Sequence, residues 1–390
     1  MATGCEPWAT GVVARGTRSP FQKESMIPFK KHIQDIHPYE PGKPIKELQR
    51  EYGIRNVIKL ASNENPLGPS GKAISAMRKA IREVHLYPEA SCYYLLTRLA
   101  KELDIDPGHI IFGNGSNEII ELLARGFLSE GDEVLSSEMT FLVYPILSQV
   151  CGAKFKAVPM KDHRYDLDGI LQAITPKTKL IFIANPNNPT GTYVTAKEVE
   201  AFLSKVPDHV VVCFDEAYVD FVDAEDFPKM LPYLKEGRPN VVVLRTFSKA
   251  YGLAGLRIGY GIASKEIIAY FHKIRQPFNV NSVAQAGAVA AIDDSFFLWR
   301  TKWLVVRGRK FFYRKLKKLG LEYLPSQANF ILIHMKTDGQ EVYQYLLRQG
   351  MIVRPMNAYK LPEWIRITIG RRSQNVQLVK LLKSYLAKKN

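Results

Sequence analysis

The chain has 390 residues, 46% of them hydrophobic and 24% charged, which is enough to build two domains around ordinary apolar cores. No apolar run approaches the roughly 20 residues of a bilayer-spanning helix. Cys5, Cys92, Cys151 and Cys213 are scattered without ligand spacing, no H-E-x-x-H or G-x-S-x-G motif is present, and reduced cytoplasmic thiols with no metal are the simplest account. The formal net charge of +16 is the one oddity and suits anionic partners.

Residues 1–25 are rich in Gly, Ala, Thr and Ser, carry Arg15 and Arg18, and lack an apolar stretch of signal-peptide length. They read as a disordered tail or an expression leftover with Met26 as a candidate natural start, and a transit peptide stays open. From about 60 to 295, short β-rich runs alternate with helical stretches, which predicts βαβ units around a mostly parallel sheet in a cofactor-binding domain. There, G-N-G-S-N-E at 113–118 precedes Ile119, Ile120, Leu122, Leu123 and Phe127, the spacing of an amphipathic helix. Its first amides, at Ser116 and Asn117, would face an anion, although the same turn serves equally as a plain cap.

The apolar runs Leu180–Ile183 and Val210–Cys213 are followed by A-N-P-N-N-P-T-G at 184–191 and F-D-E-A-Y at 214–218, so both motifs stand at predicted strand ends. Val241–Leu244 is followed in the same way by R-T-F-S-K-A-Y-G-L-A-G-L-R at 245–257. After about 296 comes R-G-R-K-F-F-Y-R-K-L-K-K at 307–318, where Phe312, Leu316 and the following Leu319 share one face. That pattern predicts a surface helix with its charges in water and no role in nucleic-acid binding. A strand-like run Asn329–Ile333, a helix around Val342–Leu347 and a strand ending near Arg354 follow. Residues 296–390, with 28–59, are expected to form a smaller α/β domain.

Lys249 is the residue that calls for an explanation. A lysine leaving a buried strand is costly unless it is paired or neutralised. Thr246 and Ser248 offer hydroxyls, Gly252 and Gly255 permit close backbone approach, and Arg257 is a fixed cation suited to phosphate. This setting suggests pyridoxal phosphate held as a Schiff base, whereas a lysine that merely snorkels from a loop is the plainer reading of the segment alone. Ligands of open α/β sheets bind outside the carboxyl ends of the strands, where Asn188, Asp215, Thr246 and Lys249 would converge. An anion at Asp215 could keep a pyridine nitrogen protonated, with Tyr218 and Asn188 hydrogen-bonding the ring's phenolic oxygen.

Further motifs are H-P-Y-E-P-G-K-P at 37–44, S-N-E-N-P-L-G at 62–68, L-Y-P-E at 86–89, Q-P-F-N-V-N at 276–281, R-P-M at 354–356 and I-R-I-T-I-G at 365–370. In order and spacing the whole set resembles the aspartate-aminotransferase-like family of pyridoxal phosphate enzymes over roughly residues 28–385, and within it the histidinol-phosphate aminotransferases. The resemblance implies that family's fold, with a large domain around a mostly parallel sheet and a smaller α/β domain. It implies Lys249 as the Schiff-base lysine, Asp215 as the pyridine partner, Asn188 and Tyr218 as ring-oxygen donors and Phe141 as the stacking ring. Ser116, Asn117, Thr246, Ser248 and Arg257 would hold the cofactor phosphate; many relatives have an acidic residue at the position of Asn117, which leaves backbone donors to dominate. Tyr87 matches a tyrosine lent to the neighbouring subunit's phosphate, which implies a homodimer.

Arg366 matches the arginine that grips an α-carboxylate in most relatives. Arg354, Tyr39 and Asn188 would join it around the substrate, and two arginines suit a phosphate dianion. The resemblance therefore implies amino transfer between L-histidinol phosphate and 2-oxoglutarate in histidine biosynthesis, in the cytoplasm. A salt bridge between the domains is the plainer role for Arg354, aromatic aminotransferases and phosphate-specific decarboxylases share much of the motif set, and a non-catalytic ligand-sensing relative is the reading from a different class.

Overall fold

The computed structural model describes residues 29–389, and the structural statements below concern those residues. The reading of residues 1–25, Cys5 and Met26 lie outside them.

Seven strands form the large sheet, in the spatial order Ile110–Gly113, Gly259–Ile262, Val241–Thr246, Val211–Asp215, Thr178–Ala184, Glu133–Ser137 and Lys154–Val158. All run parallel except Gly259–Ile262, which opposes both its neighbours. The central strands Thr178–Ala184, Val211–Asp215 and Val241–Thr246 carry near-continuous apolar runs because both faces of the sheet are covered there, whereas the edge strand Lys154–Val158 is partly exposed. Val242, Leu244, Leu180 and Phe182 pack against Ile119, Leu123 and Phe271 from the helices Ser116–Phe127 and Lys265–Ile274. Val241, Val243, Ile181 and Ile183 point the other way, against Leu95, Leu99, Val199, Phe202 and Ala284. Alternate residues of one strand thus serve two cores, and a one-residue slip would exchange them.

The register aligns Ala184 with Asp215 and Asp215 with Leu244, so two strands end level, the third runs two residues further to Thr246, and all three release their loops on one edge. The amide of Asn185 donates to the Asp215 carbonyl at 2.9 Å, and that of Glu216 to the Leu244 carbonyl at 2.8 Å, which continues the ladder into those loops. Asp215 is the last residue of its strand, two beyond the apolar run read from the sequence.

Above this edge stands a four-stranded antiparallel sheet ordered Arg354–Pro355, Trp364–Thr368, Phe330–His334 and Glu322–Tyr323. The helices Ser295–Lys318, Gly339–Arg348 and Arg372–Lys389 accompany it. Ile58–Lys59 pairs in parallel with Met351–Ile352, and the amide of Thr368 donates to the Leu60 carbonyl at 2.8 Å, so the segment before the large sheet is woven into the second one. One apolar core joins Phe330, Ile367 and Ile369 to Tyr218, Phe221 and Ala250, which come from the loops of the large sheet's edge.

The basic stretch 307–318 is helical, with Phe312 and Leu316 buried, but its cations are not all in water as expected. Arg309 is 3% exposed; it donates to the carbonyls of Ser326 at 2.6 Å and Phe221 at 3.0 Å and pairs with Asp223 at 3.0 Å. A Cβ at the preceding Gly308 would lie 2.2 Å from Ile369 Cγ2, so the helix sits close enough to bring Arg309 into those loops. Its planar fork ties together carbonyls from two distant loops, and the Tyr313 hydroxyl lies 3.4 Å from the Ser326 carbonyl as a second donor. Arg309→Met keeps the apolar stem but removes both bonds and leaves the Phe221 carbonyl and Asp223 without this partner, a loss of about 2 kcal/mol that should lower the thermal midpoint by several degrees. An unchanged midpoint would show that the bonds contribute nothing to stability.

Candidate active site

A cavity of about 290 Å³ opens where the carboxyl ends of these strands face the second sheet. Its wall brings together Tyr39, Ser116, Asn117, Phe141, Asn188, Asp215, Tyr218, Thr246, Ser248, Lys249, Arg257, Arg354 and Arg366. Of the sequence-derived site residues only Tyr87 stands elsewhere, 83% exposed and stacked on Phe278 with ring centroids 4.8 Å apart.

Lys249 lies three residues past its strand, and its ammonium donates to the Ser62 carbonyl at 3.3 Å. Burial, and then the nearby Arg366 cation, bring its pKa down to about 8, so roughly a tenth of the amine is neutral at pH 7, far more than for an ordinary lysine. Asp215 is buried opposite. It accepts from the Tyr144 hydroxyl at 2.8 Å and the Ala217 amide at 3.1 Å, yet burial outweighs these bonds and the Lys249 charge, and its pKa is raised. A carboxylate so placed favours a cationic partner in the cavity.

Two residues that hold this geometry were not singled out from the sequence. Tyr144, fully buried, stacks flat on Phe182 at 4.5 Å and aims its hydroxyl at Asp215. It follows Phe141 by three positions, one helical turn, a spacing that could have flagged it. Asn63 sits inside the S-N-E-N motif with φ of +56°, and its side-chain amide donates to the Tyr218 hydroxyl at 3.0 Å. The Thr368 hydroxyl and the Asn329 side chain fix Asn63 in turn. The Tyr218 oxygen thus accepts from Asn63 and keeps its own proton to donate into the cavity. Asn188 is arranged alike: its side-chain oxygen accepts from Arg366, which leaves the amide nitrogen free to donate.

At the floor, the helix Ser116–Phe127 begins beside Thr246, Ser248 and Arg257. Glycines make this approach possible. A Cβ at Gly115, whose φ is +76°, would lie 2.5 Å from Arg257 Nη2, and one at Gly259 would lie 2.5 Å from the Ser116 nitrogen. A hydroxyl, a guanidinium and helix-start amides therefore line one small cup with the chemistry of a phosphate site.

On the roof, Arg354 and Arg366 face each other directly across antiparallel strands. Arg366, 7% exposed, donates to the Ala61 carbonyl at 2.9 Å and leaves its Nε without a partner. Arg354 donates to the Glu40 carbonyl at 2.7 Å. Among the described residues neither makes an ion pair with a carboxylate, so Arg354 is no salt bridge between the sheets. Like charges opposed across strands are unfavourable, and an anion between them would relieve the cost.

A half-buried lysine and a buried aspartate lining one cavity at the carboxyl edge of a mostly parallel sheet define a class of enzyme that the sequence comparisons also find. The chain matches the family "Aminotransferase class I and II" over residues 55–382, and it belongs to that family. It is 46% identical over 355 residues, 91% of this chain and 92% of the relative, to a histidinol-phosphate aminotransferase of Moorella thermoacetica. Among solved structures it resembles the histidinol-phosphate aminotransferase of Sinorhizobium meliloti in complex with pyridoxal-5'-phosphate, at 28% identity and a TM-score of 0.85, over 94% of this chain and 99% of that one. An aspartate aminotransferase double mutant of Thermus thermophilus, 21% identical with a TM-score of 0.78 over 92% and 99% of the chains, shares the fold, which is aspartate-aminotransferase-like as expected.

The lowered pKa of Lys249 sets a test that needs no substrate. Acylation by an amine-selective reagent, followed at the Lys249 peptide by mass spectrometry, should rise with pH to a midpoint near 8. It should level off above that, because only the neutral amine reacts. Arg366→Gln removes a cation that opposes the ammonium, so its midpoint should move up; a midpoint unmoved by the substitution would discount that coupling.

Proposed function

We propose that this chain is a histidinol-phosphate aminotransferase that moves an amino group between L-histidinol phosphate and 2-oxoglutarate, with pyridoxal 5'-phosphate as its cofactor. The observation that carries the substrate reading is the opposed pair Arg354 and Arg366, two guanidinium groups at one cavity wall with no carboxylate between them. A single carboxylate is gripped by one bidentate arginine, whereas a phosphate dianion uses two. Tyr39 at the cavity rim would add a hydroxyl, and Asn188 completes this side. An aromatic amino-acid donor would leave the Arg354 charge unused.

The residues present fit the cofactor. The glycine-lined cup with Ser116, Asn117, Thr246, Ser248 and Arg257 would hold its phosphate, and Phe141 would stack on its ring. When bound, pyridoxal phosphate supplies an electron sink that lets the amine-bearing carbon of a substrate give up a proton. Asp215, short of counter-charge, would pair with the ring nitrogen and hold it protonated. Tyr144 keeps that carboxylate oriented. Tyr218 and Asn188 would donate to the ring oxygen with the hydrogens that Asn63 and Arg366 leave free. Lys249 would carry the covalent link and then, as a neutral amine, take the proton from the substrate carbon and return it to the cofactor side.

Tyr87, exposed and outside its own cavity, suits a residue lent to a second copy, and a cytoplasmic homodimer completes the reading. Among the described residues no helix is long and apolar enough to cross a membrane.

Asp215→Asn preserves size and removes the charge, and it should leave the fold intact while slowing single-turnover amino transfer by about two to three orders of magnitude. Wild-type rates in that variant would remove Asp215 from the chemistry. The substrate is tested by Arg354→Ala. With a largely desolvated phosphate losing one of two charged partners, kcat/KM for histidinol phosphate should fall at least about 30-fold, and any side activity on phenylalanine should fall far less. Equal losses on both donors would make Arg354 structural, and a wild-type preference for phenylalanine would overturn the substrate.

A further inference from the structure

The charge excess has a location. The helix Ser295–Lys318 contains nine Lys and Arg residues and no Asp or Glu, and residues 371–389, which enter and form the last helix, contain six and none. Against a formal net charge of +16 for the whole chain, these two helices, which pack on each other, hold nearly the entire surplus. Only Arg309 and Lys389 among these cations find a carboxylate among the described residues.

Between the two helices lies a groove of about 760 Å³, distinct from the active-site cavity and larger. Arg307, Lys310, Arg314, Arg371 and Arg372 line it, and no carboxylate does. Flat apolar surfaces come from Trp303, Phe311 and Tyr313 in the same wall. The Arg307 guanidinium already lies 4.2 Å from the centre of the Trp303 ring, and Trp303 remains 47% exposed. Five cations held together without counter-charge repel one another, which a polyanion would relieve; the exposed indole of Trp303, with the half-buried Phe311 beside it, favours a ligand with a flat face. The volume is that of a small-molecule site.

We infer that this groove binds an aromatic polyanion of nucleoside-triphosphate type, its phosphates among Arg307, Lys310, Arg314 and Arg371 and its base against Trp303 or Phe311. A bare inorganic polyphosphate would leave the rings unused, and an uncharged aromatic would leave the cations uncompensated. The site is wired toward the active centre: Arg371 donates to the Pro66 carbonyl at 2.9 Å, and Gly370 follows the strand that carries Arg366.

Titration calorimetry of the cofactor-loaded enzyme with ATP, inorganic triphosphate and adenosine tests this. ATP should bind with a Kd below about 1 mM and more tightly than either fragment. The double reversal Arg307→Glu with Arg314→Glu should weaken ATP at least about tenfold while amino transfer persists. Lys317→Glu with Lys318→Glu, an equal charge change on the same helix outside the groove, should not. Trp303→Ala should erase the advantage of ATP over triphosphate. The inference is overturned by no binding of ATP at that concentration, by equal losses in the two reversals, or by loss of ATP binding in Arg354→Ala, which would put the ligand in the active site. A short single-stranded oligonucleotide bound far more tightly than ATP would also overturn it, and would make the whole two-helix face a nucleic-acid surface.

Discussion

The active-site architecture depends on a surplus of positive charge around one cavity. Lys249, Arg257, Arg354 and Arg366 line one cavity; of the two carboxylates there, Asp215 sits at the far wall and Glu64 is engaged by Lys59. Such an arrangement is costly without ligands and becomes favourable with them, because anions between the arginines and in the glycine cup would supply what the protein omits. Removal from water, and then crowding by Arg366 from the same surplus, lower the Lys249 pKa toward neutrality.

Precision comes from neutral groups around these charges. Asn63 occupies a left-handed backbone position, is held by Thr368 and Asn329 from the second sheet, and orients Tyr218 from the first. Arg366 does the same for Asn188. Each contact joins residues more than 150 positions apart, so the cavity is assembled only when both sheets are docked. The shared apolar core of Phe330, Ile367, Tyr218 and Ala250 secures that docking.

Outside the cavity, cations serve three different purposes within one helix. Arg309 is a buried donor that ties carbonyls together, Arg307 leans on an indole, and Lys317 and Lys318 remain in water. A count of charges along the chain treats these alike. Their surroundings separate them, because a guanidinium's worth depends on which acceptors lie within reach of its fork.

What the sequence determined by itself is local and periodic. Unbroken apolar runs marked the strands at 180–183 and 241–244, the spacing from Ile119 to Phe127 marked a helix, and the polar motifs at the ends of those runs marked where a ligand would sit. Those features follow from side-chain period and backbone chemistry within a few residues. The roles of Tyr144 and Asn63, the burial of Arg309 and the opposition of Arg354 to Arg366 were decided by tertiary structure. Each depends on register or on a contact between distant segments, and twelve residues of separation between two arginines say nothing about facing until antiparallel pairing turns the chain back.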